Sequence, residues 1–213
     1  MSKTSSSRIA TRKRPKQERS EALVEAILTA ATAELVANGF ARATTNRIAA
    51  AAGVSVGSLY QYFPSKDAIV VELMRRYRAT RIAIVREKLA PIDREPLDVV
   101  VRSLFTALFH ADVKERDLLA VLIDHVVHTE ARREFGGYED ALAAIVADAL
   151  RRSRTTLVVD DHDLAAYVMV RMVQALVHAA VSGAAKYDAA TIANEGTKLV
   201  LRYLRAKDDA SSG

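Results

Sequence analysis

The stretch GVSVGSLYQYFPSK combines small residues with side chains that form hydrogen bonds. Its hydroxyl groups belong to Ser55, Ser58, Tyr60 and Tyr62. Hydroxyls of this kind bind phosphate oxygens, and tyrosine rings also stack on sugars and on thymine methyl groups. Gln61 carries a donor and an acceptor side by side, which matches the major-groove edge of adenine. The chemistry indicated is non-covalent binding of nucleic acid, and the alternative for Gln61 is a solvated side chain.

The elements that would position these groups are three short helices, predicted at residues 17–38, 46–52 and 55–63. Within the third helix, Leu59 and Phe63 have helical spacing and should face inward. A tight glycine-containing turn between the second and third helices is typical of a helix-turn-helix. The second helix of such a pair enters the major groove with its first residues toward the bases. Small residues at its start, such as Gly57, would then allow close approach to the duplex.

Basic side chains flank this predicted helix pair. Lys66 would begin the next helix within reach of the DNA backbone, and Arg47 would contact a phosphate or pair with an acid on the first helix. Tyr62 has a similar alternative, as a residue partly buried in the core. Arg12, Lys13 and Arg14 could enter an adjacent minor groove or stay mobile.

Charge is distributed unevenly along the 213 residues. Residues 1–66 hold ten Lys and Arg against four Asp and Glu, a net charge of +6, whereas residues 67–213 hold 21 against 22, a net charge of −1. A basic N-terminal third indicates a polyanionic partner. The chain lacks cysteine and an N-terminal secretory signal, which fits the reducing cytoplasm.

The string TTNRIAAAAGVSVGSLYQYFPSKDAIV resembles the DNA-binding signature of the TetR/AcrR family of bacterial transcriptional regulators, over residues 22–71. One departure is Val56, where that family often has lysine or another polar residue, and an apolar contact with a thymine methyl would replace a polar one. By position, the resemblance implies DNA contacts at Thr45, Arg47, Ser55, Val56, Gly57, Ser58, Tyr60, Gln61, Tyr62 and Lys66.

The remaining two-thirds of the sequence also has helical periodicity, so the predicted fold is all-α with nine helices and two domains. The helix from residue 118 to residue 127 is apolar almost all round and should be buried. The predicted organisation is a disordered basic arm at 1–16, a helix-turn-helix domain at 17–65, a ligand-binding and dimerisation domain at 66–207, and a disordered tail at 208–213.

The resemblance implies a homodimer formed by the last two long helices, at 160–183 and 188–205, and a small-molecule cavity. Polar and aromatic side chains recur along the first of these helices, at Tyr167, Arg171, Gln174, His178 and Ser182. This stripe would line the cavity or the dimer interface, or form a half-exposed face. Arg171 would suit an anionic ligand. The candidate ligand-binding residues are Phe105, Phe109, His125, Tyr138, Tyr167, Arg171, Gln174 and His178, with Val126, Met169 and Met172 as further apolar wall or ordinary core.

Other classes of protein are disfavoured by the sequence. The apolar residues 164–185 have the length of a membrane span, but Arg171, Gln174 and His178 interrupt them. Asp124 and His128 have metal-compatible spacing without an evident third ligand. No paired carboxylates, Ser-His-Asp set or phosphate-binding loop is evident, so we predict no catalytic residue, no cofactor and no metal.

The predicted function is that of a repressor that binds a roughly palindromic DNA operator as a homodimer and is released by a small-molecule effector. The effector would shift the long helix predicted from residue 66 to about residue 90. The first alternative is an activator or constitutive regulator whose C-terminal domain only dimerises. The second is an enzyme or sequestering protein with an incidental basic N-terminus.

Overall fold

The computed structural model describes residues 14–127, 137–181 and 186–205. Within these ranges the chain forms nine α-helices and no strand, which confirms the predicted all-α fold. The helices are α1 (Arg14–Arg42), α2 (Thr45–Ala51), α3 (Val56–Tyr62), α4 (Lys66–Leu89), α5 (Leu97–Lys114), α6 (Arg116–Val127), α7 (Tyr138–Arg152), α8 (His162–Val181) and α9 (Ala189–Leu204), with a short 3-10 helix at Ala90–Asp93.

Some sequence-based predictions lie outside the described residues. They concern the basic arm up to residue 13, the tail at 208–213, His128, Ser182, and the side chains of Asp124 and Val126. One boundary is corrected, because α1 already begins at Arg14 where disorder was predicted through residue 16. Pro15 is compatible with this start, since the first turn of a helix has no use for its missing N–H group.

The chain divides into two compact units, one ending at Val70 and the other beginning at Val71. In the first unit, α1, α2, α3 and the first turn of α4 surround a small apolar core. Its fully buried members are Ile27, Ala31, Leu35, Ile48, Leu59, Ile69 and Val70. These are the positions that the helical apolar spacing places inward.

Local signals set the helix ends in this unit. Thr44 accepts a hydrogen bond from the backbone N–H of Arg47, and Ser65 accepts one from that of Ala68 at 3.1 Å. Such N-caps satisfy donors that have no partner inside the helix. Gly39 has φ 68° and ψ 167°. These angles lie outside the left-handed helical region, in a conformation that is essentially restricted to glycine.

By length and composition alone, Gln17–Arg42 of α1 is the one helix among those described that could cross a membrane. Its residues Ile27, Ala31 and Leu35 are fully buried in the first unit. Core helices satisfy the same criterion, so this result is weak evidence for a span.

The second unit is built around α5, which packs on α9, and α7, which packs on α8. Gly196 of α9 lets that helix approach Phe105, since an added Cβ there would lie 2.6 Å from Phe105 Cε1. The prediction that α6 is buried all round is only partly correct. Leu119 and Leu122 are buried, whereas Leu118 and Ile123 are half-buried, because α6 packs against α5 and α8 from one side.

Candidate nucleic-acid interface and internal cavities

Helix α3 has one buried side and one exposed side. Leu59 is fully buried and Phe63, just after the helix, is nearly so. The opposite side exposes Gly57, Tyr60 and Gln61 to solvent. This seven-residue helix is therefore anchored through its apolar side and leaves its other side open to solvent.

The start of α3 is fixed by its own hydroxyls. Ser55 Oγ accepts a hydrogen bond from the backbone N–H of Ser58 at 3.0 Å, and the two hydroxyl oxygens lie 2.8 Å apart. Ser55 is therefore the N-cap of α3. Val56 follows it as a half-buried residue.

Two tyrosine hydroxyls are held by partners on neighbouring helices. Tyr60 is 48% exposed, and its hydroxyl lies 3.1 Å from Thr45 Oγ1 on α2. Tyr62 accepts a hydrogen bond from Ser20 of α1 at 3.2 Å. These contacts fix the ring orientations before any partner arrives. They also bring Thr45 and Tyr60 together on one surface, although fifteen residues separate them in sequence.

Gly57 lies at the exposed surface of α3 with space around it. A Cβ added there would meet only Ser55 Oγ, at 3.9 Å, which is an ordinary van der Waals contact. Its backbone φ is not in the positive range that favours glycine. The fold itself therefore does not require glycine at this position, and a close contact with DNA stays a prediction.

Lys66 is used differently from what the sequence indicated. Its ammonium donates hydrogen bonds to the carbonyl oxygens of Phe40 and Ala43, the latter at 2.7 Å, and lies 4.0 Å from the centre of the Phe40 ring. Two of its three donors are thereby used inside the protein. Lys66 positions the α1–α2 connection, and a contact with the DNA backbone stays a prediction.

Arg47 is found in the alternative arrangement considered from the sequence. Its Nη1 lies 3.4 Å from a carboxylate oxygen of Glu34 on α1, and its side chain is largely exposed. Exposed ion pairs of this kind contribute about 0–1 kcal/mol. Exchange of Glu34 for a phosphate is therefore energetically accessible to the guanidinium.

The second unit contains an apolar cavity with about 730 Å³ of empty space, part of it open to solvent. Its walls come from α4, α5, α7, α8 and α9 and include Phe105, Leu142 and Met169. Two polar side chains, Arg81 and Gln174, interrupt this apolar lining. Small-molecule sites in proteins are concave and lined mostly by apolar side chains with a few polar groups, and this lining has that composition.

A second, more polar cavity adjoins the first through the shared residue Gln174. Its lining includes Arg78, Tyr138, Glu139 and His178, and its empty space is about 690 Å³. Tyr138 is almost fully buried, and this burial raises the pKa of its hydroxyl. Burial also lowers the pKa of Arg78.

The candidate ligand residues separate into two groups. Phe105, Tyr138, Gln174 and His178 line a cavity. Phe109, Tyr167, Arg171 and His125 are not among the lining residues of either cavity. Phe109 stacks on Phe105 with ring centres 6.1 Å apart.

Arg171 and Tyr167 lie at the surface of α8. Arg171 is paired with Asp140 at 3.7 Å and lies over the exposed Tyr167 ring. Tyr167 lies at the surface, whereas Gln174 on the same helix lines both cavities. The sequence analysis did not identify Arg81 as a residue of the apolar cavity. Its spacing from Tyr77 and Val85 places it on the inner side of α4, but a charged side chain is usually expected in solvent.

Two family models match the chain. One, described as bacterial regulatory proteins of the tetR family, matches residues 27–73, and one described as a tetracyclin repressor-like C-terminal domain matches residues 96–204. The chain belongs to the TetR family. It is a transcriptional regulator of that family, with an N-terminal helix-turn-helix.

Individual proteins that resemble this chain include relatives that are 18–27% identical to it over the aligned residues. The nucleoid occlusion factor SlmA of Glaesserella parasuis is 27% identical to this chain over 118 residues. The matched segment covers 55% of this chain and 56% of SlmA, so the chain spans only about half the length of that relative. A TetR-family protein of Mesorhizobium loti has a TM-score of 0.71 at 18% identity, with 87% of this chain and 96% of that chain covered. FadR of Bacillus subtilis, solved in complex with stearoyl-CoA, has a TM-score of 0.64 at 20% identity, with 85% and 99% covered.

Proposed function

We propose that this TetR-family regulator is a homodimeric repressor that binds a roughly palindromic DNA operator in the cytoplasm and is released by a small-molecule effector. The observation that carries the proposal is the exposed side of α3, where Tyr60 and Gln61 surround the open Gly57 beside Thr45 of α2. This surface combines hydroxyls for phosphates, an amide for a base edge, and room for a duplex.

In the proposed complex, α3 lies in the major groove. Gln61 reads a base, while Ser55, Ser58, Tyr60, Tyr62 and Thr45 bind phosphates and sugars. Gly57 and Val56 make the closest approach, with Val56 against a thymine methyl. Arg47 exchanges Glu34 for a phosphate.

Dimerisation through α8 and α9 is supported by their exposed apolar side chains. Leu164, Tyr167 and Val168 are 44–57% exposed on α8, and Leu199 and Tyr203 are 50% and 40% exposed on α9. Large apolar side chains grouped on two neighbouring helices are typical of an interface. Such a dimer would place two α3 helices about 34–36 Å apart, in successive major grooves.

The dimer is tested by measuring molar mass in solution with light scattering. Leu199→Lys should reduce the mass toward that of a monomer, because a charge in an apolar interface has no partner. Val99→Lys is the matched control, since Val99 is 46% exposed on α5. Equal masses for wild type and both variants would contradict this interface.

Release by an effector is supported by the cavity of the second unit. A C-terminal domain that only dimerises does not require an apolar pocket lined by side chains from five helices. Helix α4 lines this cavity through Arg81 and Val85 and is continuous with the chain of the first unit. A ligand that changes the position of α4 would change the α3 separation, and the bound state must have lower DNA affinity.

The proposal as a whole is tested by selecting DNA from a random library with the purified protein. A palindromic consensus, protected by two copies of the chain, is the expected result. The selected DNA then serves in a release assay, with candidate effectors added to the complex. Recovery of sequences without any common element would refute operator recognition, and an activator would be recognised by increased transcription from a reporter.

A further inference from the structure

The apolar cavity has a positively charged group in its wall. Arg81 is only 3% exposed and lies among Val85, Leu89 and Val101 in the lining. Its guanidinium lies 5.6 Å from the centre of the Tyr77 ring. Arginine keeps its charge in proteins, so this charge lies in a lining that is apolar apart from Arg81 and Gln174.

A second guanidinium lies one helical turn earlier on α4. Arg78 is half-buried and stacks over the ring of Tyr138, 4.6 Å from its centre. It lines the polar cavity together with Glu139 and His178. The arginines therefore contribute two positive charges to the adjoining cavities, and among the residues that the structure describes the one acid in these linings is Glu139.

The two cavities offer complementary environments to one molecule. The apolar cavity is enclosed by aliphatic and aromatic side chains from five helices, which favours a hydrocarbon chain. Gln174 lines both cavities and marks the place where they adjoin. Arg81 lines the apolar cavity and Arg78, one turn earlier on α4, lines the polar one, and a guanidinium has donors in a planar fork that matches a carboxylate or a phosphate.

We propose that the effector is an amphiphile with an unbranched hydrocarbon chain and an anionic group, with the chain in the apolar cavity and the anion bound by Arg81 and Arg78. The proposal rests on the effector-binding role proposed for this domain. A free fatty acid and a fatty acyl thioester of coenzyme A share this chemistry. The B. subtilis relative was solved with such a thioester, stearoyl-CoA.

The test measures binding of three ligands with the same chain, laurate, lauroyl-CoA and lauryl alcohol, to the full-length protein by calorimetry. Laurate or lauroyl-CoA should bind at least about tenfold more tightly than the neutral alcohol. The tighter of the two anionic ligands identifies the source of the anion. Equal binding of all three, or binding of none, would overturn the proposal.

Variants then locate the anion. Arg81→Met should reduce affinity for the anionic ligand by about tenfold or more and leave that for the alcohol within about threefold, since a charge-assisted hydrogen bond is lost. Arg78→Met, at a half-buried position where folding is less at risk, should show the same selectivity. Arg86→Met is the matched control, because Arg86 is exposed on the same helix. Unchanged affinity in both Arg81→Met and Arg78→Met would refute the assignment.

Operator release is measured separately with the selected DNA. Arg81-dependent binding without release would support the ligand chemistry and contradict the proposed switch. Release by a ligand of other chemistry, with no binding of the anionic amphiphiles, would support the proposed switch and contradict the ligand chemistry. The two proposals can therefore fail independently.

Discussion

Gly57→Ala should raise the stability of the protein and lower its affinity for DNA. The new Cβ meets only Ser55 Oγ at 3.9 Å, so the fold accepts it without strain. Replacing glycine by alanine in a helix raises the free energy of unfolding by about 0.5–1 kcal/mol. In a chain of this size that corresponds to a rise of about 1–4 °C in the melting temperature. In the proposed complex the same methyl group meets the duplex.

Overpacking of a close interface costs about 1–3 kcal/mol. The operator affinity should therefore fall about 5- to 150-fold per subunit. The assay is fluorescence anisotropy with the selected operator, alongside thermal melting. Ser103→Ala, at an exposed position of α5, is the control that gains helix propensity without changing DNA affinity. Unchanged affinity in Gly57→Ala would refute close approach of DNA to this residue.

Three further predictions concern residues with defined contacts. Lys66→Met should lower the free energy of unfolding by about 1.5–3 kcal/mol, measured in urea, because two carbonyl oxygens near the end of α1 lose a charged donor. Gly196→Ala should lower it by about 1–3 kcal/mol in calorimetry, because the Cβ collides with Phe105, and a more stable variant would refute this packing. The hydrogen bond from Arg75 is the main cause that lowers the pKa of Glu72, so its stabilisation is present above the ordinary carboxyl pKa and is lost as the pH falls. Glu72→Gln should therefore cost up to about 1 kcal/mol at neutral pH and nothing in acid, whereas a pH-independent cost would contradict the ion pair.

Much of the first unit could be predicted because its signals are local. Thr44, Ser55 and Ser65 are caps whose side chains act within three residues, and Gly39 interrupts α1 through its own backbone. The inward position of Leu59 follows from helical spacing. The exposure of Tyr60 and Gln61 on the opposite side of α3 follows from the same spacing.

Features that depend on distant partners could not be predicted. The bonds from Lys66 join residues 23 and 26 positions apart, and nothing in the local sequence indicates which carbonyl oxygens are nearby. The sequence left open whether Arg171 lines the cavity, the dimer interface or a half-exposed face, and Asp140 of α7 and Tyr167 hold it at the surface. Arg81 is the opposite case, because an arginine is expected in solvent from sequence alone and this one is buried.

Operator recognition by α3 is tested most directly by the affinity of wild type and Tyr60→Ala for the selected operator and for random DNA, at several salt concentrations. Wild type should bind the operator at least about a thousandfold more tightly than random DNA, and its affinity should fall steeply with salt. Tyr60→Ala should lose most of this preference with an unchanged helical spectrum, because the ring is exposed and only its hydroxyl meets Thr45. Equal affinity of the wild type for both DNAs, unaffected by Tyr60→Ala, would contradict the account.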